Sequence, residues 1–296
     1  MKKALVIGSE GNVGKPLVQY LKENDYDVVA YDIKPGYRQN YYMADITKPI
    51  DLIKAFDFKP DYIFHLAAMV SRVTCEQSAS MAIHTNIVGT QNIIELAKYC
   101  DAKLINFSTS EVYGPNNSIM DESCLPKPNN RYGLSKLLAE QLVEYEVKQH
   151  GLRAVTLRPF MIYDENEDLG DHRSAMIRFA YNLATGRSIE VHDGSARGWM
   201  HISDAVRAIE AATRVENYLA INIGNPDVRS IYELADMIRI KLGASEDLIN
   251  VINLPNRMTL VKQPNLQRQK ELLGFENLVS LEEGVDRVCE NIMKRI

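Results

Sequence analysis

Cysteine is scarce and scattered. Cys75, Cys100, Cys124 and Cys289 stand alone, without CxxC or CxxxC spacing. That excludes a zinc ribbon and a disulfide framework, and it fits reduced thiols in a cytoplasmic protein. A basic excess is missing too: 34 lysines and arginines face 39 acids, a net charge of -5. A nucleic-acid partner would need that excess to neutralise phosphates. No apolar run approaches the roughly 18 residues that mark a membrane span. Met1-Lys2-Lys3 and the residues after it mimic a signal peptide, but Gly8, Glu10 and Gly11 interrupt the run. His172 and His192 have no partners at metal-ligand spacing, so no metal is expected. Internal repeats and low-complexity tracts are absent. What remains, with 46% hydrophobic and 25% charged residues over 296 positions, reads as one large α/β domain or a domain with a smaller lobe.

The chain opens on an apolar run, Ala4 to Ile7, followed by Gly8, Gly11 and Gly14. Val13, Leu17, Val18 and Leu21 then recur at helical steps. A buried strand feeding a helix through a glycine turn can hold a dinucleotide pyrophosphate. The glycines let backbone approach the phosphates, and the helix start points N–H groups at the anion. By itself such a turn needs no ligand, and its spacing is Gly-x2-Gly-x2-Gly rather than Gly-x-Gly-x2-Gly. Asp27 to Asp32 reads as a second strand ending in an acid, suitably placed to accept hydrogen bonds from an adenosine ribose 2′-OH and favour NAD. Lys34 keeps a 2′-phosphate from being excluded.

Further on, Tyr41 to Met43 predicts a short strand, with Asp45 and Ile46 in its exit loop. A helix is expected from about Pro49 to Phe56, a strand over Tyr62 to His65, and a long helix from about Ala79 to Cys100. Lys103 to Phe107 is a strand, Asn116 to Asn130 a loop with two prolines, and Arg131 to about His150 a helix. A strand follows at Arg153 to Arg158 and Pro159. This alternation is the pattern of a parallel sheet covered on both faces. After Pro159 it fails, and helices mix with short strands. The expected division is a dinucleotide domain over 1–163, joined by about 203–224, and a substrate lobe from 164–202 and 225–296.

Tyr132 and Lys136 lie four apart, on one face of the helix starting at Arg131. An ammonium near a phenol stabilises phenolate and moves it towards the range of a working base. Thr109, Ser110 and Glu111 follow the preceding strand, at the carboxyl edge where α/β sheets bind ligands. A hydroxyl there can share a hydrogen bond with a substrate hydroxyl that Tyr132 deprotonates.

With these residues in place, the sequence resembles the extended short-chain dehydrogenase/reductase superfamily: nucleotide-sugar epimerases, dehydratases and decarboxylases. The likeness covers nearly the whole chain. Gly8, Gly11 and Gly14, with Asn12 and Val13 between them, fit its Gly-x2-Gly-x2-Gly turn, which answers the question of spacing. Asp32 and Ile33 fit the NAD-selecting acid and its neighbour, Asp45 and Ile46 the adenine contact, and His65-Leu66-Ala67-Ala68 the loop after the fourth strand. Asn86 fits a helix asparagine, Ser108 the end of the fifth strand, Tyr132 and Lys136 the catalytic pair, and Arg158-Pro159-Phe160 the nicotinamide loop. Arg197 to Asp204, Ile221 to Pro226 and Val279 to Gly284 are also typical.

The resemblance implies a Rossmann-type doubly wound parallel sheet with a smaller C-terminal α/β substrate lobe. It implies bound NAD, a nucleotide-diphosphate sugar as substrate, and a homodimer in which the 79–100 helix and the Tyr132 helix pack as a four-helix bundle. It makes Thr109 the hydroxyl partner of Tyr132. Glu111 is similar to the glutamate of UDP-glucuronate decarboxylases and GDP-mannose 4,6-dehydratases, whereas simple 4-epimerases commonly have no acid there. Ser110 argues against the dTDP-glucose dehydratases, which usually carry Asp-Glu. The expected activity is therefore transient oxidation at C4 followed by a lyase step, decarboxylation or 4,6-dehydration. A 4-epimerase is the alternative, and an NAD-binding regulatory or scaffold protein is the alternative outside enzymes.

The chain departs from the family after Pro159. In place of a Tyr-Gly-Pro turn it has Tyr163 followed by Asp164, Glu165, Glu167, Asp168 and Asp171. Such a run repels a diphosphate, so it is expected to face solvent. Arg173, Arg178, Arg197 and Lys262 are the candidate phosphate partners. His65 and His201 read as structural, Cys75 as a packed thiol, and Trp199 as part of the lobe's core.

Overall fold

The computed structural model describes residues 1–115, 119–170, 174–253 and 259–296. Its first half alternates strand and helix: β1 (Lys2–Ile7), α1 (Gly14–Glu23), β2 (Tyr26–Asp32), β3 (Tyr41–Met43), α2 (Ile53–Phe58), β4 (Tyr62–His65), α3 (Arg72–Gln77), α4 (Ala79–Ile83), α5 (Gly89–Cys100), β5 (Lys103–Phe107), α6 (Arg131–His150) and β6 (Ala154–Pro159). The second half adds β7 (Met161–Tyr163), α7 (Ala175–Ala184), β8 (Ile189–His192), β9 (Ala196–His201), α8 (Ile202–Ala211), β10 (Ala220–Ile223), β11 (Val228–Ser230), α9 (Ile231–Leu242), β12 (Ile249–Ile252), β13 (Val261–Lys262), α10 (Gln267–Leu273) and α11 (Leu281–Arg295).

Seven strands form one parallel sheet in the order β10-β6-β5-β4-β1-β2-β3. The chain leaves β1 in one direction to β2 and returns on its other side at β4. That reversal opens a crevice beyond the carboxyl ends of β1 and β4, the usual ligand position in an open α/β sheet. Strand β1 is buried on both faces from Ala4 to Ile7, as a central parallel strand must be. One apolar core lies between the sheet and helices α1 and α8, with Leu17, Val18 and Leu21 facing Val206 and Ile209. Another joins the opposite face to α5 and α6 through Ile93, Ile94, Leu96 and Val143. A third core unites α7, α9 and α11 around Tyr163 and Trp199, the latter 1% exposed. Short strands around β9 and the β8–β12 pair roof it.

Several expectations need correction. The segment beginning at Pro49 is a 3-10 turn over Pro49–Leu52 before α2 begins, four residues later than a single helix would. The 79–100 helix is continuous in direction but widens to a π turn at His84–Val88. The acidic run after Tyr163 does not simply face solvent. Asp164 and Glu167 are buried, and Asp164 folds back to accept a hydrogen bond from Asn166 N at 2.8 Å. Glu167 accepts from Ser174 N at 3.2 Å, and Glu165 meets His201 Nε2 at 2.7 Å. The carboxylates are spent on local backbone and on one imidazole, which is how acids are tolerated inside. Asp171 and His172 lie outside the described residues.

Candidate active site

The crevice above β1 and β4 is a cavity of about 920 Å³. Its floor is the glycine turn. A Cβ on Gly14 would stand 2.1 Å from Gly8 O and 2.8 Å from Ser9 Cα, so any side chain there would force the turn apart and fill the space over it. No side chain caps α1 and no acid occupies its first turn, leaving that end of the helix compatible with an anion. At the far side of β2, Asp32 accepts from Glu10 N at 2.8 Å and Lys34 N at 3.0 Å. Two backbone donors thus fix its carboxylate at the cavity wall. Glu10 itself is paired with Arg38.

Gly8, Gly11, Asn12, Val13, Asp32, Ile33, Asp45, Ile46, Leu66, Ala67, Ala68, Ser108, Tyr132, Lys136 and Pro159 all line this cavity with Gly14. The buried Ser108 Oγ has no partner within the protein, as a group reserved for a ligand would. A dinucleotide therefore fits the residues present. Asn86 is the exception. Its side-chain amide accepts from Met69 N at 2.8 Å and donates to Met69 O at 3.1 Å and Ser135 Oγ at 2.9 Å. It fixes the loop after β4 to α6 from behind, and acts on the cavity only through that loop. Residues that sequence reasoning passed over also contribute, among them Met81, His84 and Thr85 from α4 and the π turn. Met81 is 60% exposed, an unpartnered apolar side chain that the helical pattern alone did not flag.

Asn130 caps α6, its Oδ1 accepting from Gly133 N at 2.8 Å while its Nδ2 donates to Glu111 at the same distance. That one side chain ties the start of α6 to the turn after β5. The two approach closely because residue 133 is glycine: a Cβ there would lie 2.6 Å from Glu111 O. Tyr132 and the Thr109–Glu111 turn are thereby brought together. Burial pushes the Tyr132 phenol up, Glu111 and Cys75 add to this, and the Thr109 hydroxyl opposes it. So the expected lowering by Lys136 is not what prevails: removing the phenol from water outweighs nearby charge. Burial lowers Lys136 to about 8, with Glu140 holding it up. Thr109 Oγ1 accepts from Glu111 N at 3.2 Å, and its hydroxyl is hydrogen-bonded to the Tyr132 phenol. Ser110 is buried in the same turn, away from the cavity wall.

Glu111 is the most perturbed acid. Burial would raise it, but Lys262 and Arg72, with hydrogen bonds from Lys262 and Asn130, hold it down at about 2. Lys262 is buried and ion-paired to Glu111, and Arg72 Nη1 lies 3.8 Å from its other oxygen. Arg197 is buried beside them, donating to the carbonyls of Ala196, Leu260 and Thr259 at 2.6–2.7 Å. Arg178 is exposed on α7; burial lowers His192, and Arg197, Arg178 and Arg72 add to this. Of the expected phosphate partners, Arg197 and Lys262 converge on Glu111, Arg178 stands at a distance, and Arg173 lies outside the described residues. Arg72 was not foreseen. The capping residue Ser71, whose Oγ accepts from Thr74 N, was the available sign that a helix starts there and aims residue 72 across the sheet edge.

His65 is fully buried with Nε2 3.0 Å from Thr90 Oγ1, and burial holds it at about 3. It stays neutral and packs under the site. His201 faces Glu165 and Ser203 and caps α8. Cys75 is buried, its thiol directed at Met69 O.

Known proteins give the arrangement its relatives. UDP-glucuronic acid decarboxylase 5 of Arabidopsis thaliana is 28% identical over 321 residues, covering 99% of this chain and 90% of that protein. A putative UDP-glucose 4-epimerase of Methanocaldococcus jannaschii is 29% identical over 303 residues, covering 98% of each. The crystal structure of UDP-glucose 4-epimerase from Thermotoga maritima, with UDP-glucose, superimposes with a TM-score of 0.92 at 26% identity over 99% of both chains. Residues 4–224 match the NAD dependent epimerase/dehydratase family. With that match over most of its length, the chain belongs to this family, and its cofactor is NAD.

Proposed function

We propose that the protein modifies a nucleotide-diphosphate sugar by transient oxidation at C4 and a lyase step, and that this step is decarboxylation of a UDP-glucuronate-type hexuronate. Bound NAD⁺ supplies a two-electron acceptor for C4 and returns the electrons when the cycle closes. The chain's own work begins with Tyr132, which takes the C4 hydroxyl proton. Thr109, whose hydroxyl is hydrogen-bonded to the Tyr132 phenol, orients that exchange. Lys136, at about 8, supports the phenolate from within the same helix. The glycine turn and Asp32 hold the cofactor, Arg197 and Lys262 stand with Glu111 at the reacting end of the sugar, and Arg178 and Arg173 remain for the diphosphate.

One observation carries the choice of lyase step: Glu111 is ion-paired to the buried Lys262 and lies 3.8 Å from Arg72, and these cations hold it well below the usual carboxylate range. In 4,6-dehydration a carboxylate must remove the C5 proton, which calls for a base whose conjugate acid lies near the working pH. A carboxylate pinned by two cations is a poor base. Decarboxylation needs no such base. The C5–carboxylate bond breaks, carbon dioxide leaves, its electron pair enters the enolate of the C4 ketone, and C5 takes a proton from solvent. The curated decarboxylases among the relatives support this reading; the 4-epimerase relatives support the second one, a simple C4 inversion. Incubation with UDP-glucuronate, UDP-glucose, UDP-N-acetylglucosamine and GDP-mannose, followed by NMR, decides between them. Carbon dioxide and a UDP-pentose are expected. A 4-keto-6-deoxy product or a C4 epimer would refute decarboxylation.

A cytoplasmic homodimer completes the proposal. Val88 and Tyr99 on the π turn and α5, and Leu134, Leu138 and Tyr145 on α6, are exposed apolar side chains on the helices expected to form the bundle. All four cysteines are free thiols. Light scattering should return twice the chain mass, and Leu138→Glu should halve it.

A further inference from the structure

Arg72 departs from the other cations around Glu111 in what it leaves available. Lys262 is buried and donates to Glu111, and the Arg197 guanidinium is spent on three backbone carbonyls. Arg72 comes from the opposite side, at the first turn of α3. Its 3.8 Å approach to Glu111 is a charge contact too long for a hydrogen bond, and its side chain is 40% exposed. Its planar fork of donors is therefore open to a ligand.

The cluster is also unbalanced. Arg72, Arg197 and Lys262 act on one another and on a single carboxylate, Glu111. Burial depresses Lys262, with Glu111 opposing and the two arginines adding to it, and burial brings Arg197 down to about 10. Three cations against one anion in a shielded place favour the arrival of another anion.

A nucleotide sugar carries its diphosphate on C1, across the pyranose ring from C4. Glu111 is close enough to Tyr132 to act on its phenol, and the phenol is the group proposed to work on C4. The surplus charge near Glu111 is thus at the C4–C5 end of the sugar, where a hexuronate carries its carboxylate on C5. We propose that Arg72 is a specificity-determining residue, whose guanidinium receives the C5 carboxylate of a hexuronate and makes the site prefer it to a neutral hexose. This rests on the hexuronate reading above.

The test uses NAD-loaded protein in a Tyr132→Phe background, so that binding is read without turnover, and titrates UDP-glucuronate, UDP-glucose and UDP by calorimetry. Arg72→Gln should weaken UDP-glucuronate by about tenfold to a hundredfold, the usual range for a lost charge-assisted hydrogen bond. UDP-glucose and UDP should stay within twofold, and Arg72→Lys should recover part of the loss. Equal weakening of all three ligands would make Arg72 a diphosphate contact and overturn the proposal. So would no change at all, which would leave it a mere counter-charge for Glu111. If the parent protein releases no carbon dioxide and shows no preference for UDP-glucuronate, the hexuronate reading itself falls and takes the proposal with it. Carbon dioxide release with an indifferent Arg72→Gln would sink the proposal alone.

Discussion

Lys136→Met should make the protein inactive and more stable. Lys136 is 1% exposed, in the middle of α6, and burial lowers it from 10.5 to about 8. Below pH 8 the ammonium is present in both folded and unfolded chains, and the folded one bears the full cost of holding it out of water. That depression is worth about 3 kcal/mol against folding at pH 7. Between pH 8 and 10.5 the folded protein gives up the proton while the unfolded chain keeps it, so stability rises with pH. Above 10.5 both are neutral and the penalty is gone. Methionine keeps the length and the apolar stem and has no charge to bury. Urea unfolding of the two cofactor-free proteins at pH 7, 8, 9 and 10 isolates the effect, because other titrating groups are common to both. The variant's midpoint should lie above wild type by about 1 M at pH 7, and the gap should shrink steadily towards pH 10. A variant no more stable than wild type at pH 7, or a gap that ignores pH, would refute the account of Lys136 as a desolvated ammonium.

Other perturbations have equally definite outcomes. Glu140 takes three hydrogen bonds from the buried Arg158, at 2.7–3.2 Å, so Glu140→Met should cost about 3–5 kcal/mol by stranding the guanidinium; a loss under about 1 kcal/mol in urea unfolding would contradict that. Gly14→Ala puts a methyl against Gly8 O and should weaken NAD by at least about tenfold in a calorimetric titration while the chain still folds. Asp32→Ala removes the acceptor fixed by Glu10 N and Lys34 N; NAD should bind more weakly and NADP relatively better, and an unchanged ratio of the two would deny Asp32 its selecting role. Glu111 is held at about 2 rather than 4.5, so the stability it lends is complete above pH 4.5 and is lost as pH falls through 2. The stability gap between wild type and Glu111→Gln should accordingly be flat from pH 5 to 7 and narrow only below.

The sheet and the cofactor cavity were legible because both are written in short stretches. The β1 run, the glycines, Asp32 and the Tyr132/Lys136 pair each fix their own geometry within a strand, a turn or one helix face. Where the sequence misled, the deciding partner was remote. Asn86 is expected at the cofactor from its helix position, and nothing local shows that Met69 and Ser135 meet its amide. Asp164, Glu165 and Glu167 read as a solvated run because nothing local shows that His201 and Ser174 return to meet them. Tyr132 and Lys136 are four apart, yet the balance of burial against charge that sets the phenol depends on how deeply α6 is packed.

Glu111 shows why the reaction outcome was the hardest part to read. Its type and position were visible two residues after Thr109, and either lyase chemistry wants an acid there. What separates them is whether the carboxylate can take a proton. That is settled by Lys262 on β13, Arg72 on α3 and Asn130 at the cap of α6, three residues far apart in the chain. On the proposed reading, cations so arranged disable the acid as a base and leave a positive surplus beside the sugar's C5. The same arrangement that argues against removing a C5 proton argues for binding a C5 carboxylate, so both conclusions stand or fall on one local charge balance.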